Sequence, residues 1–531
     1  LKAHRYKALF ILALACCILV AGCASISGTN ESSRKDELLL AVGSEPEAGF
    51  DPTTGWGRYG SPLFQSTLLK RDDQLKIVND LAAEYEASSE TSWTVKLRRD
   101  VKFSDGRPLT AADVKFTFDT AASNGSVIDL TNLKRVETLD DYTIKFTLKE
   151  PQSTFLSLLV TTGIVPKHAY GKDYASNPIG SGPYKLVQWD KGQQAIVEAN
   201  PEYYGSKPYF KKLTFLFLTE DAAFAAAKAG KVDISYIPSA FSKQQVKGMR
   251  LETAKSVDNR GIVFPYVKSG GKTKDGFAIG NDVTADIAIR KAINEAVDRK
   301  ALVDGVLEGH GTPAYTINDG LPWWNPKTVI PDGDANTAKK RLADAGWKDG
   351  DGDGVLEKNG LKAQFTLMYP SGDVTRQSLA LSVADMIKPI GIKIDVEGKS
   401  WDDLESQMHA NAVLFGWGSH DPLEMFNVYS SKYGGVEYYN PGYYGNPAVD
   451  DWMDKAMRAT SEEKALDFWQ KAQWDGSTGL SAQGDAPWAW LVNIDHLYLV
   501  KDKLDIGKQR IHPHGHGWPV TDNIESWKWN E

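Results

Sequence analysis

From Leu38 onward, strand-length apolar runs alternate with helical patterns, and no stretch of linker composition separates them. Such alternation calls for mixed α/β sheets covered by helices. At 531 residues the chain exceeds one core, so two to four domains are expected. Without linkers, those domains should share crossing strands. Strands are predicted at Leu38–Val42, around Trp93, Val95 and Leu97, and at Thr143–Leu148, Tyr184–Gln188, Leu213–Leu218 and Ile392–Val396, with an apolar stretch resuming at Pro62–Leu69. Thr110 three residues before Asp113 forms a capping box for a helix over Ala111–Thr120. Further helices are expected at Ala222–Lys228, stopped by Gly230, at Ala285–Leu307, and through Val383–Lys388 to Gly391. Thr460 with Glu463 is read as the cap of a last helix reaching Gln473.

The N-terminus carries a targeting pattern. Lys2, Arg5 and Lys7 precede an apolar run from Ala8 to Val20, and Val20-Ala21-Gly22 places small residues before Cys23. This pattern resembles a bacterial lipobox. Residues 1–22 are then a signal peptide, Cys23 the lipidation site, and 23–37 a polar tether. Cys16 and Cys17 would leave with the signal, so the mature domain would hold no disulfide. No later run approaches the ~20 apolar residues of a spanning helix.

A net charge of −8 without a basic patch argues against nucleic acid or an anionic membrane surface as partner. The 16 Trp and 21 Tyr, many beside Gly or Pro, suggest a ligand surface. Enzyme signatures are largely missing: there is neither GxSxG nor HExxH, and Gly270-Gly271-Lys272-Thr273 lacks the first glycine of a phosphate loop, Tyr266 standing in its place.

The stretch Ala412–Tyr429 is the candidate site. Val413, Leu414 and Phe415 should form a buried strand that ends at Gly416 and Gly418. Trp417, His420 and Asp421 follow, with Tyr429 on a short helix, and an aromatic beside an imidazole and a carboxylate suits a small-ligand wall. The same residues also fit a core tryptophan and a capping aspartate.

Two clusters invite a metal reading. His512, His514 and His516 alternate along an extended segment, so they are candidate transition-metal ligands, together or with His420; an incidental role is the competing reading. Asp349, Asp351 and Asp353 resemble the start of a calcium loop, but Gly360 occupies the twelfth position, where a bidentate Glu is required. A solvated turn is expected there and no cofactor.

Leu97–Phe118, LRRDVKFSDGRPLTAADVKFTF, closely resembles the signature of the family 5 extracellular solute-binding proteins, the peptide and nickel class of bacterial ABC importers. Asn177–Tyr184, Asn200–Tyr204, Ile289–Arg299 and Gly391–Ile394 agree in order and spacing. The resemblance implies an α/β, two-lobed periplasmic-binding-protein-like fold with an additional α/β domain, three domains in all, the first discontinuous. By position, lobe I takes 38–60, 180–264 and 490–531, the added domain 61–179, and lobe II 265–489. The lobes should be joined by strands near Ile262–Tyr266 and Trp488–Val492.

The implied function is that of a monomeric, lipid-anchored protein on the extracellular face of the cell membrane. It would capture oligopeptides between closing lobes for an ABC permease and ATPase. A nickel or other metal chelate is the alternative ligand, and a secreted hydrolase a distant alternative function. Trp401, Trp417, His420, Asp421 and Tyr429 are the expected ligand-binding residues. Peptide-binding members often carry an aspartate shortly after the Gly-Trp matched by Gly416-Trp417; here His420 stands nearest, with Asp421 next to it.

Overall fold

The computed structural model describes residues 35–531 except 47, 61, 125–127 and 516. The signal, Cys23 and His516 lie outside the described residues.

Three sheets organise the chain. A seven-stranded sheet runs in the order Met249–Ala254, His496–Lys501, Ile234–Ile237, Glu37–Ala41, Lys212–Leu216, Gln194–Ala199, Tyr184–Asp190. Its centre is parallel, Glu37–Ala41 pairing with Lys212–Leu216 and with Ile234–Ile237. A six-stranded sheet has the order Gly311–Pro313, Trp488–Ile494, Asn259–Val263, Ala412–Phe415, Gln364–Pro370, Lys393–Lys399. Gln364–Pro370 is parallel to both Lys393–Lys399 and Ala412–Phe415. A four-stranded antiparallel sheet, built from residues 82–148, packs with the helices Ala111–Asn124 and Phe155–Thr161 around a core of its own.

Side-chain alternation gives the six-stranded sheet two buried faces. Ala412 and Leu414 enter one core, Val413 and Phe415 the other. With both faces covered, its strands read as unbroken apolar runs, and for that reason the interlobe crossings do not lie where the sequence suggested. Asn259–Val263 and Trp488–Ile494 are buried throughout and belong wholly to the six-stranded sheet. The chain changes sheets at residues 255–258, polar except for Val257, and at Asp495. The C-terminal segment lies along the first crossing, where Val257 N donates to His512 O and His512 N to Lys255 O, at 2.9 and 2.8 Å.

Three local expectations are corrected. The helix expected over Ala285–Leu307 is two helices, Ile287–Ala296 and Arg299–Gly305. Val297 is extended, and Asp298 caps the second helix by accepting from Ala301 N at 2.8 Å. The cap of Glu462–Gln473 is Ser461, not Thr460. Of the stretch resuming at Pro62–Leu69, only Leu69 enters a strand, Leu69–Arg71. Of the capping box the Asp113 half forms: Thr110 N and Oγ1 both donate to Asp113 Oδ2 at 3.0 Å, while Asp113 N donates to Thr110 O rather than to its hydroxyl.

Candidate functional site

Parallel strands leave a crevice outside their carboxyl ends, the usual place for ligands in open α/β sheets. In the second lobe, Phe415 ends such a strand and Gly416-Trp417-Gly418 turns across the first crossing. A Cβ on Gly416 would sit 2.6 Å from Asn259 O, and one on Gly418 2.6 Å from Val257 O, so only glycine permits this approach. Asn259 then clamps Trp417: Trp417 N donates to Asn259 Oδ1 at 3.1 Å and Asn259 N to Trp417 O at 2.8 Å. The indole stacks on Tyr439, centroids 5.3 Å apart.

Ser419, His420 and Asp421 continue into a cavity of ≈ 140 Å³ that is also lined by Arg58 and Tyr59 of the first lobe and Arg71 of the added domain. Electrostatics there are set by burial. His420 is pushed down to about 3, chiefly by desolvation with Arg71 adding to it, so its imidazole is neutral. Burial pushes Asp421 up to about 7 and Glu424 to about 8, each only partly offset by backbone N–H groups and by Arg71 or Arg58 respectively. Leu423 N donates to Asp421 Oδ1 and Ser419 N to Glu424 Oε2, both at 2.9 Å. Among the described residues, Trp417 Nε1 and His420 Nε2 are buried without a hydrogen-bond partner. Such groups gain when a polar ligand arrives.

Of the expected site residues His420 and Asp421 line this cavity, whereas Trp417, 9% exposed, packs in the lobe core beside it, and Tyr429 is not at the cavity. Its ring is buried in the lobe core and its hydroxyl accepts from Trp490 Nε1 at 2.7 Å. Trp401 is 48% exposed, parallel to Phe415 and edge-on to Tyr438. Arg58, Tyr59, Arg71 and Tyr439 were not read from the sequence, since they sit in turns and strand ends with no motif spacing.

The histidines form a different structure from the expected metal set. His514 Nδ1 lies 2.6 Å from Asp258 Oδ1 and His496 Nε2 3.1 Å from Asp258 Oδ2. His512 Nδ1 faces His496 Nδ1 at 3.1 Å, and its Nε2 meets Gln509 Oε1 at 3.2 Å. Arg260 Nη1 pairs with the same Asp258 carboxylate. This buried network ties both crossings to the C-terminal segment. Among the described residues, the only grouping of three potential metal ligands is the exposed Asp349, Asp351 and Asp353, where Lys362 Nζ contacts Asp351 and Asp353.

The added domain also meets the second lobe directly. Ser153 N donates to Met457 O and Ser153 Oγ to Ala456 O, both at 2.8 Å, and Tyr433 OH meets Asp129 Oδ2 at 3.1 Å. These bonds join the added domain to the second lobe.

Two α/β lobes joined by short crossings, with a cavity lined by residues of both, define a two-lobed solute-binding protein. The family model of bacterial extracellular solute-binding proteins, family 5 middle, matches residues 76–481, and the chain belongs to that family. It is 34% identical over 489 residues to Protein XP55 of Streptomyces lividans, covering 88% of this chain and 86% of the relative. To the oligopeptide-binding protein AppA of Bacillus subtilis it is 30% identical over 502 residues, covering 87% and 89%. Among solved structures it is similar to NikZ from Campylobacter jejuni in complex with Ni(L-His), with TM-score 0.79, 27% identity and coverage of 93% and 99%. It is also similar to AppA from Bacillus subtilis in complex with a nonapeptide, with TM-score 0.75, 26% identity and the same coverage. The chain is therefore a solute-binding component of an ABC importer and not an enzyme. No described helix is long and apolar enough to cross a membrane.

Proposed function

We propose that this protein captures an oligopeptide between its lobes for import. The observation that carries the reading is Asp421: a carboxyl on the cavity wall, raised by desolvation to about 7, which gains from an arriving cation such as a peptide's terminal ammonium. Arg58 and Arg71, which line the same cavity, complement a peptide's carbonyl and carboxylate groups. AppA, with its nonapeptide, is the relative that supports this choice.

A metal chelate is the second reading, favoured by one feature. His420 is neutral and its Nε2 has no partner among the described residues, as a metal donor requires. Against it, His512 and His514 are engaged with His496, Gln509 and Asp258. Calorimetric titration at pH 7.5 with nickel plus free histidine separates the two. The peptide reading expects no heat; binding that disappears in His420→Ala would carry the chelate reading instead.

We also propose attachment to the outer face of the membrane through lipid on Cys23, on the strength of Val20-Ala21-Gly22-Cys23. Cys23→Ala is expected to abolish lipid labelling and shift the protein out of the detergent phase. Labelling and partitioning unchanged in the mutant would contradict the anchor.

A further inference from the structure

A cavity of ≈ 410 Å³ lies wholly within the second lobe and shares no residue with the cavity between the lobes. Two helices that pack together, Ile287–Ala296 and Ala335–Asp344 with its cap Asp334, supply its charged groups. Trp474, just past the helix Glu462–Gln473, and the loop residues Ile330 and Pro331 complete the walls. Lys291 and Glu295 stand four residues apart on one helix face, a spacing at which lysine and glutamate can pair. Here Arg341 from the neighbouring helix takes Glu295 instead. Its Nε lies 3.0 and 2.9 Å from the two carboxylate oxygens, and its Nη2 lies 2.5 Å from Oε1.

The cavity is left with more donors than acceptors. Lys291 Nζ donates to Gln483 O at 2.8 Å and, among the described residues, has no carboxylate within 4 Å. Both acids of the lining are already engaged, Glu295 by Arg341 and Asp334 by accepting from Thr337 N and Oγ1 at 2.9 and 2.7 Å. Arg341 Nη1 is not used by Glu295, and Trp474 Nε1 has no partner among the described residues. Half-buried Lys291 therefore faces the cavity as a cation without a counter-ion. Burial, then the charge of Arg341, pull it below the ordinary lysine range, and Asp485 and Glu295 offset only part of this.

We propose that this cavity is a second binding site, one for a small organic acid whose carboxylate is held by Lys291 and Arg341 and whose apolar body lies against Trp474, Ile330 and Pro331. The donors fix the charged end, since hydrogen bonds from a lysine or arginine to a carboxylate are the strong, charge-assisted kind. The rest of the wall fixes the other end. An indole face, an aliphatic side chain and a proline ring cover carbon, and a bare inorganic anion would leave them uncovered. Nothing in this site depends on the ligand taken up between the lobes, because the two cavities have no residue in common.

The test is ligand-observed NMR titration of the intact protein with benzoate, benzyl alcohol and inorganic phosphate. Wild type is expected to bind benzoate saturably, benzyl alcohol not at all and phosphate more weakly than benzoate. Lys291→Met keeps the apolar stem but loses the charge, and should weaken benzoate by about tenfold or more with the unfolding midpoint little changed. Arg341→Leu frees Glu295 to pair with Lys291 and should weaken it as well. His420→Ala should bind benzoate as wild type does. Absence of benzoate binding, equal binding of benzyl alcohol, or undiminished binding by Lys291→Met overturns the proposal. Phosphate that binds as tightly as benzoate overturns the assignment to an organic acid, and loss of benzoate in His420→Ala would place it between the lobes instead.

Discussion

Asp258→Ala is expected to destabilise the protein by about 3–5 kcal/mol, the cost of leaving a buried charge without its partner. Asp258 is 2% exposed and accepts from Arg260, His496 and His514, which come from three separate stretches of chain. Removal strands the Arg260 guanidinium in the interior and unties the first crossing from the second. Urea unfolding would read the loss, and hydrogen exchange should quicken at residues 255–260 and 494–497. An unchanged unfolding midpoint would mean that Arg260 is neutralised elsewhere.

The same network sets the response of stability to acid. Arg260 and the two imidazoles hold Asp258 well below the usual carboxylate range, against its own desolvation. A depressed carboxylate contributes stability that is present above its unfolded value, near 3.9, and is lost as pH falls through the folded one. His514 is held down mainly by burial, so the unfolded chain takes up a proton first and stability begins to fall below about pH 6.5. Acid therefore weakens the joint between lobes, which melting temperature would read.

Much of this fold was legible because its signals are local. The strand Thr143–Leu148, the Thr110–Asp113 capping box and the stop at Gly391 follow from periodicity and turn chemistry within a few residues. The strand-to-glycine turn that carries Trp417 was legible for the same reason. What could not be read was the partner of any group separated from it by hundreds of positions. His514 resembles a metal ligand in its own segment and becomes a structural imidazole only beside Asp258. Tyr429 looked ligand-facing, but helix rotation turns it inward to Trp490. Apolar continuity marks a strand covered on both faces, not a strand passing between lobes, so the crossings lay in the mostly polar residues beside the runs. Arg58 and Arg71 carry no pattern at all; only the approach of three parts of the chain gives them a common cavity.

Asp421→Asn is expected to weaken peptide binding by 2–5 kcal/mol if the terminal ammonium is buried against it, or about 30-fold to several thousandfold. The asparagine fills the same space and can still accept from Leu423 N, so the unfolding midpoint should move little. A similar loss from Tyr429→Phe would point to general damage to the lobe, because that hydroxyl bonds to Trp490 inside the core.

Native mass spectrometry of protein purified without added ligand tests the central claim most directly. Wild type should carry adducts of peptide mass that dissociate on unfolding and can be sequenced, and Asp421→Asn purified in parallel should be bare. Wild-type protein without any adduct, or with one bearing the isotope pattern of nickel, would contradict capture of peptides between the lobes.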